Sequence, residues 1–240
     1  MENFLNIFLL GDVPNDLVSF TFFIGTMAMM AASVFFFLSL DAGGGKWRTS
    51  MLVSGLITFI AAVHYYYMRD ANVSGADVTF FRYVDWILTV PLMCVEFYLI
   101  LAKAGATKKL MWQLIGLSTV MLVAGYIGET GDSPVLYGTI SGIAYFVMVG
   151  MLWLGSPKAL AEKAGGSVLE AYNALCWFIL VGWSIYPIGY MIGTDGWYDF
   201  VDAIPLDMDV VYNIGDAINK IGFGLVTVSY THLTLPTKNE

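Results

Sequence analysis

Residues 210–228 read "VVYNIGDAINKIGFGLVTV", and this stretch decides the fold class. It is near the ~20 residues that an α-helix needs to cross a bilayer. It is also almost unbroken in apolar character, apart from Asp216 and, four residues later, Lys220. On a helix that spacing puts both side chains on one face. An ionisable side chain at bilayer depth costs at least about 2.5–3.5 kcal/mol on insertion scales, so it seldom sits there idle.

The rest of the chain has the same character. Its 240 residues are 58% hydrophobic and 12% charged, with mean hydropathy +0.71. Those values lie far from a soluble domain and describe a polytopic membrane protein. Seven apolar stretches are counted, at residues 17–40, 47–68, 79–102, 110–127, 134–154, 167–192 and 206–228. The expected fold is therefore all-α, a seven-transmembrane helix bundle. An outer-membrane barrel would show ~10-residue alternating strands, and the sequence has none. Connections are short, so residues 1–228 form one membrane domain. The start, "MENFLNIFLLGDVPND", lacks a basic n-region and a small-residue cleavage site, and reads as a short extracellular lead-in. The tail at residues 229–240, "SYTHLTLPTKNE", breaks the pattern and reads as a polar segment foreign to the core. Cys94 and Cys176 lie inside apolar spans and read as buried free thiols.

Loop charges orient the bundle. Lys46, Arg48, Lys103, Lys108, Lys109, Lys158 and Lys163 fall in loops on one side. Outside the spans, the other side has only Arg69 against Glu2, Asp12, Asp16, Asp70, Asp77, Glu129, Asp132, Asp195, Asp199, Asp202, Asp207 and Asp209. The positive-inside rule makes the Lys-rich side cytoplasmic, with the N-terminus extracellular and the C-terminus cytoplasmic. The acidic face reads as solvated surface, and a net charge of −8 argues against nucleic acid as a partner.

Away from the span ends lie six ionisable residues: His64, Arg82, Asp85, Glu96, Asp216 and Lys220. Arg82, Asp85 and Thr89 share a helical face. Glu96 follows Asp85 by eleven residues, which returns to within about 20° of that face after a rise of roughly 16.5 Å. The third span thus presents an Arg, a carboxylate, a hydroxyl and a second carboxylate along the membrane normal. Ion pairs that merely tie helices together would read the same way, but desolvation leaves such pairs little net stability. Carboxylate chains in membranes mark ion or proton paths. Burial pushes a lysine amine toward its neutral form, a nucleophile suited to Schiff-base formation with an aldehyde. Asp216 and Asp85 could then flank the resulting cation, balanced by Arg82.

The motifs "RYVDWILTVPLMCVEFYLIL", "GWSIYPIGY" and "YNIGDAINK" closely resemble those of microbial rhodopsins, in particular proteorhodopsins, and the likeness covers all seven spans. The resemblance implies all-trans retinal linked to Lys220. It implies Asp85 as primary counterion and proton acceptor, Asp216 as second counterion, Glu96 as proton donor and Arg82 on the exit side. Thr89 would hydrogen-bond near the centre, and His64 would partner the primary carboxylate. Trp86, Trp183, Tyr186, Pro187 and Tyr190 would enclose the polyene, although an aromatic cluster at this spacing also fits plain helix packing. An apolar Met93 where blue-absorbing forms carry Gln implies green absorption. Sodium-pumping relatives carry Asn-Asp-Gln where this chain has Asp85, Thr89 and Glu96. The two carboxylates imply a light-driven outward proton pump, a transporter rather than an enzyme, with no metal. The alternative is a sensory photoreceptor signalling through a partner protein; a receptor or transporter for a diffusible ligand is a further one. The expected setting is the bacterial inner membrane, as a multi-pass protein with lipid bilayer around it. The resemblance also implies a homo-oligomer, pentamer or hexamer.

Overall fold

The computed structural model describes residues 16–45, 47–194 and 207–233. The lead-in at residues 1–15, Lys46, Asp195, Asp199, Asp202, Leu206 and residues 234–240 lie outside them. Seven long helices follow the sequence pattern. They are α1 Leu17–Leu38, α2 Arg48–Val73, α3 Thr79–Leu101, α4 Lys108–Thr130, α5 Pro134–Leu154, α6 Gly166–Ile192 and α7 Met208–Leu233. A short helix, Ser156–Ala164, links α5 to α6. Six of the helices are long and apolar enough to cross a membrane by length and composition alone. The seventh, α7, carries Asp209, Asp216 and Lys220.

Local chemistry fixes several ends. Asp16 caps α1, its Oδ1 accepting from the Ser19 N–H at 2.7 Å. Pro134 opens α5 in the first turn, where its missing N–H costs nothing. Gly165 closes the short helix at φ +64°, a conformation that other residues rarely adopt. The sequence pattern ends the last span at Val228, and α7 continues past it to Leu233.

Neighbours in sequence pack as neighbours in space, and α7 closes the bundle against α1, α2 and α6. The largest core surrounds α3, with Trp86, Met93 and Phe97 packed among Leu114 of α4, Tyr145 of α5, Trp183 of α6 and Phe223 of α7. A smaller core joins Phe22 and Met29 of α1 to Ala61, Tyr65 and Met68 of α2. Polar ties cross these seams: Asn72 Nδ2 donates to Ser19 Oγ at 2.7 Å, and Asn213 Nδ2 to Thr21 Oγ1 at 3.0 Å. The outward faces keep large apolar side chains such as Leu38, Phe146 and Leu154 exposed, as a lipid-facing surface requires. This is a multi-pass membrane protein. Asp16→Ala removes the cap of α1 and should lower stability by about 1 kcal/mol, seen as a lower melting temperature in detergent.

Candidate functional site

The helical stripe on α3 and the pair on α7 meet in the middle of the bundle. Lys220 Nζ donates to Asp85 Oδ2 and, at 2.5 Å, to Asp216 Oδ2. All three side chains are buried, Asp85 completely. One ammonium therefore stands between two carboxylates from two helices. The carboxylates differ in what else they hold. Asp216 Oδ1 accepts the Tyr186 hydroxyl at 2.8 Å, whereas Asp85 Oδ1 has no hydrogen-bond partner among the described residues.

Arg82 is buried on the same face of α3 but does not close the charge balance at Lys220 by direct contact. Its Nη2 donates to Asp209 Oδ1 at 2.8 Å and its Nη1 reaches Asn213 Oδ1 at 3.4 Å. The guanidinium also lies 5.0 Å from the centre of the Tyr212 ring. Arg82 thus points toward the acidic end of the bundle, where Asp209 is partly exposed. Asp209, read from sequence as solvated surface, is its ion-pair partner. Thr89 is buried beside the centre, and its hydroxyl donates to the Asp85 backbone carbonyl at 2.9 Å rather than to the carboxylate. His64 lies within electrostatic reach of Asp85. The structure does not join them by a hydrogen bond; instead His64 Nδ1 sits 2.8 Å from Ile60 O on its own helix, which spends one ring nitrogen locally. Glu96 is fully buried on α3, with neither carboxyl oxygen hydrogen-bonded among the described residues. The Ser50 hydroxyl of α2 approaches it.

A cavity of about 620 Å³ opens beside Lys220 and Asp216. Trp86, Met93, Trp183, Tyr186, Pro187 and Tyr190 all line it, so the structure gathers every wall residue expected from the motif. Trp86 meets Tyr186 edge-on at 4.8 Å, and Tyr186 stacks on Tyr212 at 5.9 Å with 15° between the planes. Tyr212, Asn213 and Asp209 escaped the sequence reading as site residues. Their signal was present: 209, 213, 216 and 220 recur at helical spacing on one face of α7. The cavity volume suits a lipophilic ligand, its lining is mostly apolar and aromatic, and a lone amine stands at its wall. These residues fit retinal attached at Lys220.

Fold and site together define a seven-helix membrane protein built around a buried lysine. The chain belongs to the bacteriorhodopsin-like protein family, whose model matches residues 16–234. It is 45% identical over 224 residues to the blue-light absorbing proteorhodopsin of Gamma-proteobacterium Hot 75m4, covering 90% of this chain and 87% of that one. It is 43% identical over 223 residues to the green-light absorbing proteorhodopsin of Gamma-proteobacterium EBAC31A08, with the same coverage, 90% and 87%. Among solved structures, the blue light-absorbing proteorhodopsin from Med12 superposes with a TM-score of 0.74 at 36% identity, over 90% of this chain and 98% of that chain. Xanthorhodopsin, described as a light-driven ion pump with dual chromophore, gives a TM-score of 0.75 at 28% identity over 91% and 93%.

The buried triad makes a prediction that needs no ligand. Lys220→Ala leaves two carboxylates close together without their cation, so the retinal-free protein should lose about 3–5 kcal/mol of stability. Adding Asp85→Asn and Asp216→Asn to that variant should recover much of the loss in thermal unfolding. A triple variant no more stable than Lys220→Ala would show that the charges are not what the fold is balancing.

Proposed function

We propose that the protein is a light-driven outward proton pump, with retinal carried on Lys220, Asp85 as proton acceptor and Glu96 as proton donor. The observation that carries this reading is the unequal occupancy of the two carboxylates. Asp216 is held at both oxygens, by Lys220 and by the Tyr186 hydroxyl, whereas one oxygen of Asp85 has no hydrogen-bond partner among the described residues. A proton leaving the Lys220 nitrogen is therefore received more readily at Asp85. Bound to Lys220, retinal supplies the light absorption and the light-driven change in how firmly that nitrogen holds its proton.

The protein's residues give the movement its direction. Asp85 and Glu96 stand on opposite sides of the centre along α3, roughly 16.5 Å apart in helical rise. Beyond Asp85 lies Arg82, which is all donors and carries no proton onward, but whose charge is tied to Asp209 at the acidic end. Glu96 lies toward the end that carries Lys103, Lys108 and Lys109, fully buried and without a hydrogen-bond partner among the described residues, in the place of a proton donor. It then supplies the proton that returns to the Lys220 nitrogen. By the positive-inside rule the lysine-rich end faces the cytoplasm, so protons travel outward across the bacterial inner membrane. Trp86, Trp183, Tyr186, Pro187 and Tyr190 confine the polyene, Thr89 fixes the backbone turn at Asp85, and His64 acts on Asp85 through its field.

Illuminating cells that express the protein with retinal should acidify an unbuffered medium, and a protonophore should abolish the signal. Unchanged pH under bright light, with slow recovery and a bound transducer, would replace the pump with a photosensor. Lys220→Ala should give colourless protein. Asp85→Asn should shift absorption to the red and stop transport, because the anion that stabilises the ground-state cation is gone. Met93→Gln should shift the band toward the blue.

A further inference from the structure

The sixth helix is not continuous at the cavity. Between Gly166–Trp177 and Ile185–Ile192, residues Phe178–Gly182 form a π turn, and Trp183 and Ser184 form a turn after it. Pro187 explains part of this. It has no N–H to give Trp183 O, and in a regular helix its ring would collide with that carbonyl. The Tyr186 N–H bonds to Trp183 O instead, at 3.2 Å, and the Trp183 N–H reaches back five residues to Phe178 O at 3.0 Å.

This rearrangement takes the usual donors away from three carbonyls. Ile179 O loses the Trp183 N–H, Leu180 O loses the Ser184 N–H to Val181 O, and Gly182 O loses the Tyr186 N–H. Leaving such groups unpaired inside a membrane protein costs several kcal/mol each by the general rule. Two side chains from neighbouring helices take all three. The Tyr145 hydroxyl of α5 shares its single proton between Ile179 O and Leu180 O, both at 2.9 Å. Asn219 Nδ2 of α7 donates to Gly182 O at 2.9 Å. Gly182 permits that approach, since a Cβ there would overlap the Asn219 amide. Asn219 is buried and immediately precedes Lys220, while Trp183, which follows Gly182, lines the cavity.

We propose that Asn219 and Tyr145 are positioning residues, which hold residues 178–184 in this unwound form and so tie the Trp183 wall to the backbone beside Lys220. The inference rests on the chromophore reading for its consequence, not for its geometry. A segment held by side chains rather than by its own ladder loosens when a clamp is lost, and π turns inside α-helices are frequent at functional sites. A displacement at Lys220 pulls on Asn219, and through Gly182 O it reaches Trp183 and the half of α6 beyond it. Clamp strength therefore sets how fast the cavity returns to its resting shape.

Three variants test it. Asn219→Leu keeps size and removes the donor, Tyr145→Phe removes only the hydroxyl, and Gly182→Ala displaces Asn219 without altering it. In retinal-free protein, hydrogen exchange read by mass spectrometry should speed up at residues 178–184 in each variant by roughly fivefold or more, as loss of one hydrogen bond implies. Exchange at residues 166–175 should not change. In retinal-loaded protein each variant should keep a visible band, while recovery of the resting spectrum after a flash changes by a similar factor. A role in stability alone would lower the melting temperature and leave recovery at the wild-type rate. Wild-type exchange at 178–184 in Asn219→Leu and Gly182→Ala would overturn the proposal, and so would wild-type recovery in all three. If wild-type protein binds no retinal, the pump reading fails, and the exchange measurement alone decides whether the clamp exists.

Discussion

One ammonium between two carboxylates, sealed from water by seven helices, is the constraint to which the rest of the structure answers. Two anions and one cation do not cancel, and Arg82, on the same face of α3 as Asp85, is committed to Asp209. Removing three charges from water is expensive, and their mutual attraction offsets that cost only when geometry is good and the remaining lone pairs are satisfied. Here they are satisfied unevenly. Tyr186 completes Asp216, and nothing among the described residues completes Asp85. The proposed proton transfer from Lys220 to Asp85 draws on that inequality.

The surroundings serve the same end. Trp86, Tyr186 and Tyr212 contact one another edge-on or stacked, which fixes the Tyr186 hydroxyl that holds Asp216. At the cavity wall, where Leu180 and Trp183 line it, α6 unwinds at Phe178–Gly182, and side chains from α5 and α7 bond to the unwound carbonyls. The same seventh helix supplies Lys220, which reaches α3, Asp216 and Asn219, which meet α6, and Asn213, which meets α1.

Much of this was legible in the sequence. Apolar length located all seven helices, and α5 begins and ends where the hydropathy pattern does, at Pro134 and Leu154. Helical spacing placed Arg82, Asp85, Thr89 and Glu96 on one stripe of α3, and all four are buried. Tertiary partners were less accessible. Asp209 looked like one more acid on a solvated face, because nothing in a linear sequence tells which of a dozen carboxylates an arginine will reach. His64 matched a motif, yet one ring nitrogen is spent on Ile60 O, a local bond available to any histidine in a helix. The clamp on α6 was invisible for a different reason. Backbone carbonyls freed by Pro187 leave no mark in composition, and Tyr145 and Asn219 read as ordinary interior residues until the helices are assembled.

The central claim is a covalent one, and borohydride tests it most directly. Reducing the retinal-loaded protein converts an imine to a stable amine, which fixes the chromophore to whichever lysine carries it. Peptide mass spectrometry should then find the added mass on the peptide containing Lys220 and on no other. An adduct at a loop lysine such as Lys103 or Lys163, or no adduct from a protein that has taken up retinal, would contradict the account.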